Sequence, residues 1–146
     1  MAQILLLVEA VGILKDLEES FDFDIVDEFL SHFEIMCLSL EPAIGSLEDE
    51  SKKNQAIEEL FRVAHNLKSA SGYLNLVHLN KFAAFIEDIL DNLRNKDIKL
   101  SARTIDWFYG VSDQLNDWYQ DLATDKEEFR KINIEIFNVP QEIEKK

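Results

Sequence analysis

At 146 residues and 16.9 kDa the chain has the size of one domain, long enough to bury roughly two-thirds of its unfolded surface without disulfide or metal staples. With 47% hydrophobic and 30% charged residues but only 4 Gly and 2 Pro, it has too few turn formers for a sandwich or barrel, which predicts an all-α protein. A formal net charge of −14 repels phosphate backbones and anionic lipid and so argues against nucleic acid or a membrane surface as partner, while the single cysteine, Cys37, excludes an intramolecular disulfide and fits a reducing, cytoplasmic compartment.

The apolar run Ile4 to Val8 is followed at once by Glu9, has no Lys or Arg before it and no small-residue cleavage site after it. It therefore does not read as a signal peptide, and it falls short of the roughly 18 apolar residues needed to insert in a bilayer. Leu6, Leu7, Ala10, Val11 and Leu14 instead predict an amphipathic helix over residues 3–18, docked on a bundle or on a second copy. Ile25, Phe29, Phe33, Met36, Leu40, Ile44 and Leu47 keep a three- or four-residue step and predict a second helix over 22–47, which Pro42 would kink or end early. After a polar block with Ser51 and Asn54 as candidate caps, the periodicity restarts with Ile57, Leu60, Ala64, Leu67, Ser71 and Leu74.

A break at 75–78 precedes a fourth stripe of Leu79, Phe82, Ala83, Ile86, Leu90 and Leu93. Ser101 then caps a fifth helix with Ile105, Phe108, Val111, Leu115, Trp118 and Leu122 on one face. The prediction is an up-and-down four-helix bundle with an additional N-terminal helix and an extended C-terminal tail, in one domain over 1–126 with its core at about 22–123 and the tail at 127–146. In the tail, Ile132, Ile134 and Ile136 alternate with polar residues as a strand would. A lone strand has nothing to pair with in a helical bundle, so the expectation is a segment packed on the domain or bound elsewhere, with 141–146 frayed.

Among the three histidines, His32 and His78 have ordinary surroundings, and the absence of H-x-x-x-H, E-x-x-H and Cys-x-x-Cys spacing speaks against a metal site. His65 differs. It lies about 150° around the helix from the centre of its apolar stripe and should face outward. Its neighbours one and two turns on, Ser69 and Gly72, are small and leave the imidazole unshielded, while Phe61, one turn before, places a large apolar ring on the outward side. Lys68, three residues on, is a surface neighbour that would favour an anion held at the imidazole. Phe61, Ser69 and Gly72 are thus candidate partner-docking residues, although the spacing alone fits a solvated surface histidine equally well.

The run His65-Asn66-Leu67-Lys68-Ser69-Ala70-Ser71-Gly72-Tyr73-Leu74 resembles the phosphoacceptor signature of histidine-containing phosphotransfer (HPt) domains, His-x-Leu-Lys followed by small residues and an apolar one. Phe85-Ile86-Glu87-Asp88-Ile89-Leu90-Asp91-Asn92-Leu93 resembles the next helix of the phosphoacceptor domain of chemotaxis-type histidine kinases, and the likeness extends over about 22–123. The resemblance implies His65 as phosphoacceptor, Glu87 as the carboxylate that holds its other nitrogen, and Lys68 as the cation beside the phosphoryl group. On spacing alone Glu87 is a boundary residue, roughly 80° from Leu79, from which it can reach a neighbouring helix or remain an ordinary surface acid.

Where the family usually has Gly after the lysine, Ser69 stands here and implies slightly tighter access for a partner. The resemblance further implies partnership with a histidine kinase or a response-regulator receiver domain, Mg²⁺ carried by the receiver rather than by this chain, and a phosphocarrier without turnover of its own. No Gly-rich phosphate cradle is present, so no nucleotide site is expected, and a monomer is the expected state. Two alternatives stay open: the excised phosphoacceptor domain of a larger chemotaxis-type kinase, and a binding-only adaptor that occupies a partner's surface.

Overall fold

The computed structural model describes residues 12–144. It contains α1 (Ile13–Ser20), α2 (Phe23–Ser46), α3 (Lys53–Tyr73), α4 (Val77–Leu93) and α5 (Ala102–Ala123), then two short 3₁₀ turns at Ile134–Phe137 and Gln141–Ile143, and no strand among the described residues. Helices α2 to α5 form the four-helix bundle, with the most extensive packing between α3 and α4, and α1 rests on α2 and α5. No described helix is long and apolar enough to cross a membrane.

The predicted stripes meet inside the bundle: Phe33, Ile44, Ile57, Leu67, Leu79, Leu90, Phe108 and Leu122 are fully buried. Cys37 is buried too, and burial pushes its thiol up to about 12, which leaves it without nucleophilic character at neutral pH. Pro42 neither ends nor replaces the last turn of α2, which runs on to Ser46. Neither Ser51 nor Asn54 caps α3. Its N-cap position is Lys52, and Ser51 instead donates its backbone and hydroxyl hydrogens to Asp49 Oδ1 at 2.9 and 2.7 Å. Ser101 does cap α5, accepting from the Thr104 amide.

Two helix ends use left-handed residues other than glycine. Asn75 (φ 57°) ends α3 while the Leu76 amide bonds the Ser71 carbonyl at 2.9 Å and the Asn75 amide bonds Gly72 at 3.2 Å. Asp125 (φ 53°) ends α5 in the same way, with Lys126 on Asp121 at 2.9 Å and Asp125 on Leu122 at 3.1 Å. The break before α4 is therefore tighter than predicted, and His78 already lies inside α4.

Asp125 also starts α1: its Oδ1 accepts from the Lys15 amide at 3.1 Å and the Lys126 carbonyl accepts from the Ile13 amide at 2.8 Å. Gly12 lies so close to Asp125 that no β-carbon fits there. Of the N-terminal helix expected over 3–18, Leu14 is half-buried and Leu17 buried, and the helix continues to Ser20; Leu6, Leu7, Ala10 and Val11 lie outside the described residues.

The tail is held by its backbone. Trp107 and Trp118 donate their indole N–H groups to the carbonyls of Ile136 and Arg130 at 2.9 and 2.8 Å, and Gln114 Oε1 accepts from the Asn133 amide at 2.7 Å. Arg130 grips Asp121 with Nη2 at 2.8 Å, and that guanidinium holds the Asp121 carboxyl below its ordinary range. Of the alternating isoleucines, Ile134 and Ile136 lie in a 3₁₀ turn rather than a strand, and Ile136 is buried while Ile134 is 76% exposed. Fraying from residue 141 is corrected as well: Ile143 is fully buried, and Glu142 accepts from the Ser101 amide and hydroxyl at 2.9 and 2.6 Å and from the Thr104 hydroxyl. Only Lys145 and Lys146 of that stretch lie outside the described residues. Removing residues 127–146 is expected to lower the unfolding free energy by more than about 1 kcal/mol, since two buried isoleucines and two indole hydrogen bonds go with them. Urea titration of the shortened chain checks this, and an unchanged midpoint and slope would contradict it.

Candidate functional site

Antiparallel packing of α3 and α4 brings residues 65 and 87 face to face across the seam. Ala64 and Leu67 point into the core, so His65 between them points outward, with its side chain 55% exposed. Glu87, at the edge of the α4 stripe, has its side chain only 13% exposed. Its Oε2 lies 2.7 Å from His65 Nδ1, and its Oε1 accepts from Lys68 Nζ at 2.7 Å. The Lys68 ammonium is the main cause holding the Glu87 carboxyl below the usual carboxylate range, with His65 adding to it against the opposing effect of burial. An ionised carboxylate can only accept, so Nδ1 is the donor in this pair. In the neutral imidazole that leaves Nε2 with the lone pair, on an exposed ring whose tautomer is set by its neighbour and which has the electronic form a nucleophile needs.

The structure thus joins three residues that the sequence placed on two helices, His65, Lys68 and Glu87. Lys68 differs from the expectation in one respect: its ammonium is bonded to Glu87 and is not free beside the imidazole. Of the candidate docking residues, Ser69 and Gly72 are exposed, and Phe61 is not. Phe61 is half-buried against the core, its ring parallel to the imidazole within 13° at 6.1 Å between centroids, and the Arg94 guanidinium lies 4.2 Å from its own centroid. The expectation of a bare outward aromatic is corrected on this point, because Arg94 reaches across from α4 and covers it.

Gly72 serves a second purpose. A β-carbon there would come to 3.1 Å from the Asn80 side-chain amide nitrogen, which donates to the Lys68 carbonyl at 2.7 Å and braces the backbone of α3 just past His65. Asn80 and Arg94 were both missed. Nothing in the sequence marks Asn80, whereas Arg94 stands seven residues after Glu87 and so on the same face of α4, a spacing that could have found it. On its α2 side the site borders an open groove of about 510 Å³ whose lining includes Phe29, His32, Met36, Asn66, Ala70 and Tyr73. Among the described residues no three His, Cys, Asp or Glu side chains converge as a metal site.

The family model described as Hpt domain matches residues 5–125. The chain belongs to the Hpt domain family. Similar proteins include the chemotaxis protein CheA of Borreliella burgdorferi, 32% identical over 78 residues, which are 53% of this chain and 9% of that protein. The chemotaxis protein CheA of Treponema pallidum is 26% identical over 93 residues, 64% of this chain and 12% of that protein. The sensor histidine kinase CheAY of Helicobacter pylori is 30% identical over 93 residues, 64% of this chain and 11% of that protein. This Hpt chain therefore matches only about a tenth of the length of these relatives. No solved structure gave a significant match.

Proposed function

We propose that this Hpt domain is a phosphocarrier of a two-component phosphorelay, taking a phosphoryl group on His65 from a histidine kinase or a phosphorylated receiver domain and passing it to an aspartate of a response-regulator receiver. The observation that carries the reading is the exposed imidazole whose Nδ1 is bonded to a largely buried, ionised Glu87. In the accepting step the Nε2 lone pair forms a bond to phosphorus while the bond from phosphorus to the donor's leaving oxygen breaks and its electron pair stays on that oxygen. Positive charge develops on the imidazole, and Glu87 supports it through the Nδ1–H bond without taking the proton.

Lys68, one turn on from His65 and bonded to the same Glu87 carboxylate, would offer the new phosphoryl oxygens a point charge. In the delivering step a receiver carboxylate oxygen attacks phosphorus, the P–N bond breaks, and its electrons return to Nε2. Mg²⁺ held by the receiver's own carboxylates neutralises the phosphoryl charge, so this chain needs no cofactor. The acceptor set comes from one chain and asks for no second copy, and the reduced, buried Cys37 suits a cytoplasmic setting.

The test is a two-stage transfer. Incubation with an active histidine kinase and ATP should give acid-labile, base-stable label on the chain, and a receiver domain with Mg²⁺ should then remove it. Label that never forms across a panel of kinases, while a receiver domain still binds, would replace the relay by an adaptor.

A further inference from the structure

A second group of side chains reaches the imidazole along the same seam. Glu58, Phe61 and His65 follow one another at three- and four-residue steps on α3, and Glu87 and Asp91 on α4 with Arg94 at its C-terminal cap do so in the opposite direction. Arg94 donates from Nε to Glu58 Oε1 and from Nη2 to Glu58 Oε2, each at 3.0 Å, and from Nη1 to Asp91 Oδ1 at 3.3 Å. A guanidinium gripped as a fork by one carboxylate has little freedom left, and this one lies over the Phe61 ring, 4.2 Å from its centroid. The Phe61 ring in turn runs parallel to the imidazole.

The contact with Glu87 fixes one nitrogen of His65 and leaves the ring free to pivot about that bond, because more than half of the side chain is open to water. A parallel ring beside it limits the pivot. We propose that Phe61, held by the Arg94–Glu58 pair, is a positioning residue that sets the plane of the His65 imidazole and so aims Nε2 at the incoming phosphorus. The proposal rests on His65 as the acceptor and gives Phe61 a role other than partner docking. Small misplacements of a reacting group can cost up to about a hundredfold in rate, and a pivoting ring that keeps its bond to Glu87 is a milder case.

A phosphodonor too small to need docking separates the two roles. With phosphoramidate, Nε2 attacks phosphorus, the P–N bond of the donor breaks, and ammonia leaves with the electron pair. Phe61→Leu, which keeps an apolar side chain of similar size, should take up phosphoryl about tenfold more slowly than wild type, with an unchanged circular dichroism spectrum. Phe61→Tyr should restore the rate to within about twofold, and Arg94→Lys, which loses the fork, should fall between the two. Carbon-13 relaxation of the His65 ring needs no donor: it should show a rigid ring in wild type and a more mobile one in Phe61→Leu, with the Nδ1–H tautomer kept by Glu87 in both.

Uptake from phosphoramidate at the wild-type rate in Phe61→Leu, with a loss confined to transfer from a kinase, would overturn the proposal and return Phe61 to docking. If wild type takes label from no donor, the acceptor role of His65 fails separately. The positioning claim is then decided by the relaxation of the His65 ring, and a ring mobility that Phe61→Leu leaves unchanged would overturn it. Should Phe61→Leu not fold, Arg94→Lys carries the same comparison.

Discussion

Replacing His65 with Gln is expected to abolish phosphoryl uptake while leaving the bundle folded. In the proposed relay the imidazole supplies the nucleophilic nitrogen, and an amide has no comparable lone pair at neutral pH, so the loss should be complete rather than graded. The structural cost is small by contrast. The side chain is 55% exposed and belongs to no part of the core, and the amide of Gln can still donate to Glu87, which holds the stability change within about 1 kcal/mol. Labelling by kinase and ATP, read beside a melting curve, checks both halves. A variant that keeps full signalling would show that the domain works by occupying a partner's surface.

Replacing Glu87 with Ala should slow uptake by about 10- to 100-fold, the range seen when a carboxylate that orients a functional histidine is removed. Nδ1 then loses its acceptor, the tautomer is no longer chosen, and Lys68 loses the bond at 2.7 Å that holds it in place. A pH dependence follows with a definite sign. The Lys68 ammonium first, and His65 after it, hold the Glu87 carboxyl below its ordinary value in the folded state. The stability this contributes is fully present above the unfolded value, about 4.3 for a glutamate, and is lost as pH falls through the lower folded value. Urea unfolding of wild type and Glu87→Gln across pH 2 to 6 should therefore give curves that converge toward the acid end and separate above about pH 4. Parallel curves would mean that the ion pair with Lys68 does not form in solution.

The helices were legible because each buries one stripe, and burial is what periodicity records: every residue of the predicted α5 stripe, from Ile105 to Leu122, lies in the core. His65 was legible for the converse reason, as an imidazole on the face that packing leaves open. Glu87 needed the family resemblance, since a boundary glutamate in a chain with 29 acids has no distinguishing spacing of its own.

The rest was hidden by chemistry acting at a distance along the chain. Asn75 and Asp125 end helices in a conformation usually signalled by glycine, and their partners are backbone groups that leave no trace in a pattern of side chains. The tail is held through carbonyls that accept from the indole N–H groups of Trp107 and Trp118, so its alternating isoleucines pointed to a strand that does not form. Phe61 looked exposed because Arg94, 33 positions later, supplies the cover.

The most direct measurement is the site of the phosphoryl group itself, by phosphorus-31 and nitrogen-15 NMR of the phosphorylated chain labelled in histidine. The account predicts one phosphorylated residue, His65, with the P–N bond at Nε2 and the proton retained on Nδ1 toward Glu87. A phosphoryl group on Nδ1, or on any residue other than His65, would contradict it.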